Sequence, residues 1–485
     1  MISDDLMSSL NDFVSKKMGL CFPADKKKDL ERAILEAYGE LGFKDVESCI
    51  NWLITSKVSR KHIETLASHL TIGETYFFRN PEVFDALKQH VFPELIISRE
   101  KSKYLRFWSA GCSSGEEAYS IAMLLSKMIP DISDWNITIL ATDINNQSLE
   151  KGRRGVYSRW SFRSTPESIY RNFEKTKDGF RINEDLKKMV TFDYLNLVED
   201  VYPSVINNTN AMDIIFCRNV LMYFMPGAAK KVIEKLYLCL NDGGFLAITP
   251  AEAPRLKMSE FEITNFKDTV LYKKNMNREG LSYPVDIKIT VPHAAPFMAP
   301  SVTHSVAHFA APPSAAVPAV KEKKPTSYEE ALLLYEKGYY TQAAQMLKDA
   351  LPNNPLAQAL FARILANQGK LDDAKEMCEK AIACDKLNPL SYYLHAVISQ
   401  ELGDVKTAIA SLRRAIYLDQ DFVLAYYSLG NLLKRERKNT EARKCFDNTL
   451  MLLGKLDPKQ ALLASEGITA GRLSEIVTTL RGGNT

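Results

Sequence analysis

Residues 105–122, LRFWSAGCSSGEEAYSIA, constrain this chain more than any other stretch. They read as an apolar strand, a small-residue turn and the start of a helix. A second apolar run, 137–141, stops just short of Asp143. Strand, glycine-bearing turn, helix, strand and acid is the order in which a doubly wound sheet holds an adenosine-type ligand. The glycines let the backbone approach the ligand, and the acid accepts hydrogen bonds from ribose hydroxyls. The turn is not G-x-G-x-x-G, however. Gly111 and Gly115 are four apart and are followed by Glu116 and Glu117. Two carboxylates at a helix N-terminus would repel a diphosphate but suit a ligand carrying an amine and a sulfonium. The turn therefore points away from a dinucleotide and towards S-adenosylmethionine (SAM).

The rest of residues 71–275 supports a parallel sheet. Strands are expected at 105–109, 137–142, 189–194, 213–217, 244–249 and 270–273, with helices between them at 117–128 and 228–239. Residues 153–187 fit less well. They are rich in Arg, Lys, Ser and aromatics, and Lys177-Asp178-Gly179 reads as a hairpin turn. They read as an insertion on the edge of the sheet domain. Residues 1–70 read as helices, with Leu6, Leu10, Phe13 and Val14 on one face and Leu30, Ile34, Leu35, Tyr38 and Leu41 on another. Lys26, Lys27 and Lys28 open the second of these helices, as a solvated face or as a contact surface for an acidic partner.

At 485 residues the chain is long enough for two to four domains. Residues 276–325 are dominated by Pro, Ala, Val, His and Ser and show no period, as in a flexible linker. Beyond them a 34-residue repeat begins. Ala374, Ala408 and Ala442 share it, as do Ala362, Ala396 and Gly430, and Ala381, Ala415 and Thr449. Small residues at this spacing are the tetratricopeptide (TPR) signature of an all-α solenoid over 326–455. Residues 456–485 read as its capping helix. The linker is expected to keep the two cores separate. Such arrays are interaction modules, so an unidentified protein or peptide is expected in the groove.

The net charge of +3 gives no argument for nucleic acid. No apolar run approaches the roughly 20 residues of a membrane span, and the N-terminus lacks a basic-then-apolar secretory pattern. Eight scattered cysteines without a C-x-x-C pair suggest reduced thiols in a cytoplasm, no zinc site and no metal.

Five motifs in order now resemble one family: LTIGETYFFRN (70–80), WSAGCSSGEEAYSIA (108–122), ATDI (141–144), Asn196-Leu197 and IIFCRNVLMYF (214–224). Over roughly residues 1–275 they look like the CheR-type chemotaxis receptor glutamate methyltransferases. The resemblance implies a Rossmann-like class I SAM methyltransferase fold (α/β) behind an N-terminal helical domain, with the insertion at about 153–187 as its small β-subdomain. It also implies methyl transfer from SAM to glutamates on the cytoplasmic signalling helices of chemoreceptors. A glutamate carboxylate, with a pKa near 4.3, is already ionised at neutral pH and needs no general base. The work is positioning and charge complementarity.

Residue by residue, the resemblance places Arg79 beside the cofactor and the transferred methyl, and Tyr223 near that methyl. Thr75 matches a cofactor-contacting hydroxyl, with a helix cap as its alternative. Glu117 matches the carboxylate for the methionine ammonium, although Glu116 could exchange roles with it. Asp143 is expected on the ribose, Asn196 and Leu197 on the adenine, and Arg218 and Asn219 along the cleft. Gly73 stands where the enterobacterial members have Asn, which removes a side-chain hydrogen bond. Cys112 and Cys217 read as small core residues. Two other readings fit the residues less well. A scaffold that binds SAM without turnover sits poorly with the presence of Arg79, Asp143, Arg218, Asn219 and Tyr223. A small-molecule or RNA methyltransferase sits poorly with the helical N-terminal domain and the near-neutral charge.

Overall fold

The computed structural model describes residues 2–204, 207–256, 258–275, 327–336, 340–352, 354–462 and 468–482. The expected linker at 276–325 lies outside the described residues. Among the described residues ten strands form, in chain order: β1 Tyr104–Ala110, β2 Asn136–Asp143, β3 Val156–Tyr157, β4 Phe173–Thr176, β5 Gly179–Ile182, β6 Val190–Tyr194, β7 Met212–Phe216, β8 Leu240–Ala247, β9 Phe261–Asn265 and β10 Val270–Lys274. Seven of them make one sheet in the order β6-β2-β1-β7-β8-β10-β9. The first five positions pair in parallel, and β10 runs antiparallel to both of its neighbours. Strands β1 and β7 are buried along their whole length, as expected of strands covered on both faces. The order reverses beside β1, so a crevice opens at the carboxyl ends of β1 and its neighbours.

Strand β9 escapes the sequence reading because only Phe261 of its five residues is buried. It is an edge strand, and nothing in its pattern reports a core face. Residues 156–182 form the separate three-stranded sheet β3-β5-β4, with β4 and β5 paired as the expected hairpin. Phe77, fully buried, packs against Tyr157, Phe162 and Phe173 of this unit.

Four helices, Asp4–Met18, Lys27–Ala37, Val46–Thr55 and Arg60–Leu70, make the N-terminal bundle. Its second helix buries Leu30, Ala33, Ile34 and Ala37, whereas Leu35, expected on the same face, is largely exposed. A bridge between Leu20 and Phe224, flanked by Cys21 N–H on the Tyr223 carbonyl (2.8 Å), ties the bundle to the sheet domain.

The repeats form helical hairpins. Three complete ones are Pro355–Asn367 with Leu371–Cys384, Pro389–Glu401 with Val405–Leu418, and Val423–Arg435 with Asn439–Leu453. The repeating small residues sit where the paired helices cross. Ala362, Ala374, Ala396 and Ala408 are buried, and a Cβ on Gly430 would lie 2.6 Å from the Phe446 ring. Among the described residues of the expected cap the helix is Ala470–Gly482, where Leu473 and Val477 are buried.

The two cores are not separate. Tyr104 of β1 packs in one cluster with Ala359, Ala362, Leu365, Leu394 and Ile398 of the array. Arg106, also on β1 and fully buried, ion-pairs with Glu401 at the end of Pro389–Glu401. The Tyr104 hydroxyl donates to the same carboxylate at 2.8 Å, and Arg106 also donates to Tyr104 and to the Asn208 carbonyl (2.7 and 2.8 Å). A residue-pattern reading sees only that a linker intervenes. It cannot see that Arg106, alone among apolar neighbours on a central strand, requires an acid supplied nearly 300 residues later. Removing one partner of a buried ion pair leaves the other uncompensated. Glu401→Ala should therefore cost on the order of 3 kcal/mol in denaturant unfolding of the full chain, with Glu401→Gln milder.

Candidate active site

A cavity of about 310 Å³ lies at the carboxyl ends of the central strands, within the roughly 300–1,000 Å³ of small-molecule sites. All ten residues singled out from the sequence line it: Gly73, Thr75, Arg79, Glu117, Asp143, Asn196, Leu197, Arg218, Asn219 and Tyr223. The turn after β1 forms its floor. Gly111 and Gly115 have φ of +81° and +87°, a region costly for other residues. A Cβ at Gly111 would lie 2.3 Å from Val220, and one at Gly115 would lie 2.5 Å from the Phe192 ring. The turn can therefore be built, and can nestle against its neighbours, only with glycine at both positions.

Asp143 ends β2 and faces the turn. Its two oxygens accept the Ser113 and Asn145 backbone N–H groups, each at 2.8 Å. Burial pushes its carboxyl above the ordinary aspartate value, against the lowering effect of these bonds. A carboxylate has about four acceptor positions, so capacity remains for a diol.

The two glutamates after Gly115 part ways. Glu117 accepts Ser109 Oγ at 2.7 Å and pairs with Arg218 at 3.0 Å on the cavity wall. Glu116 is buried away from the cavity, takes the hydroxyls of Ser114 (2.8 Å) and Ser161 (2.9 Å), and has its pKa raised by that burial. The ambiguity left by the sequence is resolved by helix geometry, since adjacent residues point 100° apart.

Arg218 also donates to the Arg79 carbonyl (2.7 Å) and to Asn80 Oδ1 (2.6 Å). The Arg79 guanidinium donates to the Glu74 carbonyl at 2.7 Å, and no carboxylate pairs with it among the described residues. Gly73 offers its carbonyl to Ser113 Oγ at 3.1 Å. A Cβ there would meet only ordinary contacts, so no packing demand requires glycine. Thr75 lines the cavity outside any helix, which removes the helix-cap alternative. The Asn196 amide is engaged inward. It donates to the Lys17 carbonyl at 2.8 Å and accepts Val198 N–H at 3.0 Å, so its contribution to the cavity is the backbone. Cys112 and Cys217 are buried, and burial pushes both thiols up, as expected of inert core residues.

Comparison with known proteins agrees with this geometry. Residues 73–270 match the CheR methyltransferase SAM-binding domain, and residues 334–398 and 398–436 match tetratricopeptide repeat families. A chemotaxis protein methyltransferase of Borreliella burgdorferi is 34% identical over 52% of this chain and 90% of its own length. The chain belongs to the CheR chemotaxis methyltransferase family. Chemotaxis protein methyltransferase 2 of Vibrio cholerae is 29% identical over 56% of this chain and 94% of its own. The probable biofilm formation methyltransferase WspC of Pseudomonas aeruginosa aligns across both halves, at 26% identity over 86% of this chain and 91% of its own.

SAM is the cofactor of this CheR-type cavity, and the residues present fit it. Glu117 and Asp143 line the cavity together with Asp29 and Glu74, and carboxylates are the chemistry that a cationic ligand with a ribose diol requires. Asn219 Oδ1 is buried without a hydrogen-bond partner on the same wall, an acceptor in want of a donor. Sequence reasoning missed Glu252. This fully buried acid follows β8 and accepts the backbone N–H groups of Asn219, Val220 and Leu221 (3.1, 2.8 and 2.9 Å), together with Thr249 Oγ1 at 2.6 Å. It holds the turn that carries Asn219, with φ of +59°, and Tyr223 into the cavity. The only signal was a single acid in Ala251-Glu252-Ala253-Pro254, indistinguishable from a solvated loop residue.

Two outcomes are expected from Asp143. Asp143→Ala should abolish SAM binding measured by calorimetry in the full chain. In the unsubstituted protein, ribose donors favour the ionised carboxylate, so binding lowers a pKa that burial has raised. Affinity should therefore be full above the raised value and fall as pH drops through it. That loss begins above the ordinary 3.8, and Asp143→Asn should flatten the profile.

Proposed function

We propose that this chain transfers the methyl group of SAM to glutamate side chains on the cytoplasmic signalling helices of chemoreceptors, producing glutamate methyl esters. The observation that carries the reading is Arg79: a guanidinium on the cavity wall that has no carboxylate partner among the described residues. A substrate carboxylate supplies the missing anion, held by a planar fork suited to it.

Bound SAM supplies an electrophilic methyl on a sulfonium. As the glutamate oxygen bonds to that carbon, the carbon–sulfur bond breaks and the pair returns to sulfur, leaving S-adenosylhomocysteine. No proton moves. The residues of the chain orient the reactants. Glu117 faces the methionine ammonium, Asp143 the ribose, Leu197 and the Asn196 backbone the adenine, while Arg218 and Asn219 shape the wall. Gly73 and Thr75 close the entry side. The Tyr223 ring stands at the mouth with Lys26 Nζ 5.8 Å from its centroid, and Arg32 lines the same rim. Lys26, together with Arg32 paired to Asp29 at 3.5 Å, gives the rim cations that an acidic helix can meet.

The division of labour along the chain is part of the proposal. Residues 1–70 present the mouth, 71–275 bind SAM, the β-subdomain near 153–187 braces Phe77, and 326–455 with the cap at 456–485 dock a protein or peptide partner. The N-terminal bundle, the sheet and the array each have a main hydrophobic cluster, joined at their boundaries by Tyr104, Val201 and Phe224. The proposal also places the protein in the cytoplasm, where those receptor helices lie; no described helix is long and apolar enough to cross a membrane.

Tritiated SAM and receptor-rich membranes should yield base-labile label on receptor glutamates. Arg79→Ala should lower kcat/KM by about 100-fold or more while leaving the SAM affinity within a few-fold. Label on nucleic acid, label stable to base, or no label would overturn the reading.

A further inference from the structure

The loop after β6 joins the cofactor cavity to the last helix of the chain. Asn196 and Leu197 line the cavity. The Asn196 backbone N–H donates to Asp200 Oδ2 at 2.6 Å, closing the turn that presents both residues. The other oxygen of Asp200 accepts from Arg472 on helix Ala470–Gly482, 272 residues further along. This pair is largely shielded, with side-chain exposures of 25% for Arg472 and 13% for Asp200. One residue on, Val201 packs against the hydrophobic cluster that contains Leu473 and Val477. The loop is thus gripped from the array side by an ion pair and an apolar contact at adjacent positions. From the other side the N-terminal bundle holds it, through the Lys17 carbonyl on the Asn196 amide and Lys17 Nζ on Glu199, at 2.6 Å.

We propose that Arg472 is a positioning residue of the cofactor site: by holding Asp200 it fixes the Asn196 backbone at the cavity wall, so that SAM affinity depends on the C-terminal helix being seated. The proposal rests on the reading that the 196–197 loop faces the adenine. Arg472 touches neither cofactor nor substrate. It acts on a carboxylate that one backbone N–H already shares, and a charge-assisted bond restricts that carboxylate to a single orientation. The guanidinium also lies 5.7 Å from the Tyr194 ring, where Arg60 stacks at 3.8 Å, and pairs with Glu475 at 3.2 Å. Lys235 approaches the loop from the sheet side but donates to the Asp200 carbonyl (3.0 Å), not to its carboxylate. By linkage, a ligand of the array that unseats the helix weakens SAM, and SAM disfavours that ligand by the same factor.

The test is calorimetric titration of SAM into the full chain and into Arg472→Ala, Arg472→Lys, Asp200→Asn and the Arg472→Ala/Asp200→Asn double variant. Turnover at saturating SAM is measured alongside. Arg472→Ala should raise the SAM Kd about tenfold with kcat within twofold, and Arg472→Lys should recover part of the loss. The double variant should bind no more weakly than the worse single variant, because both changes break one link. A Kd for Arg472→Ala within twofold of the unsubstituted protein, or single effects that multiply in the double variant, would overturn the proposal. Should Arg472→Ala fail to fold, Arg472→Gln keeps the stem over Tyr194 and is read by the same criterion. Asp143→Ala, titrated beside them, reports on the cavity assignment alone.

Discussion

The Arg218 guanidinium donates to Glu117 from one nitrogen and to the Arg79 carbonyl and Asn80 from the other. These three bonds join the end of β7, the helix after the glycine turn and the segment that delivers Arg79. Taking a guanidinium out of water is costly unless its donors are met, and here one nitrogen, Nε, stays unpartnered. The arrangement holds because the acid it meets belongs to the cavity wall. Glu117 is thereby paired and oriented, and among the described residues Asp143 accepts from backbone N–H groups while Arg79 meets no acid. This one pairing couples a cation of the cavity wall to one of its acids, while Asp143 and Arg79 line the same cavity without taking part in it.

Backbone strain is concentrated around the same feature. Phe78, Asn80, Ser113 and Asn219 all have positive φ, each next to or within a segment lining the cavity. Such conformations cost about 1–3 kcal/mol apiece and persist only where surroundings over-determine them. Here the surroundings are identifiable. Phe77 is locked in an aromatic cluster from the small sheet, Phe78 N–H is bound by Ser120 Oγ at 3.0 Å, and Glu252 gathers the N–H groups of the 219–221 turn. The site is a set of strained loops, each pinned by a residue that does not itself face the ligand.

The array is more than an appended module. The hairpin Pro355–Asn367 with Leu371–Cys384 and the helix Pro389–Glu401 cover Tyr104 and Arg106 on β1, and the array's last helix reaches Asp200 beside the cofactor loop. Contacts at both places run through a charged residue buried or shielded at the boundary, where a lost partner is costlier than on an open surface. The array and the sheet therefore share stability as well as a chain, and whatever binds the repeats acts on a scaffold already engaged with the catalytic half.

Sequence by itself determined the local structure and the inventory of the site. Strands buried on both faces, the glycine turn, the acid at the end of β2 and the 34-residue period were legible because each is written in the residues of one segment. All ten proposed site residues reach one cavity because motif spacing on a doubly wound sheet delivers strand ends to one crevice. Tertiary structure decided what no segment can encode alone. It chose Glu117 over Glu116 for the cavity, turned the Asn196 amide inward, recruited Glu252 to hold a turn, and joined Arg106 to Glu401 and Asp200 to Arg472. A buried charge or backbone donor must find a partner wherever the fold brings one within about 3 Å. That partner carries no mark in the sequence, because its identity depends on distance in space and not along the chain.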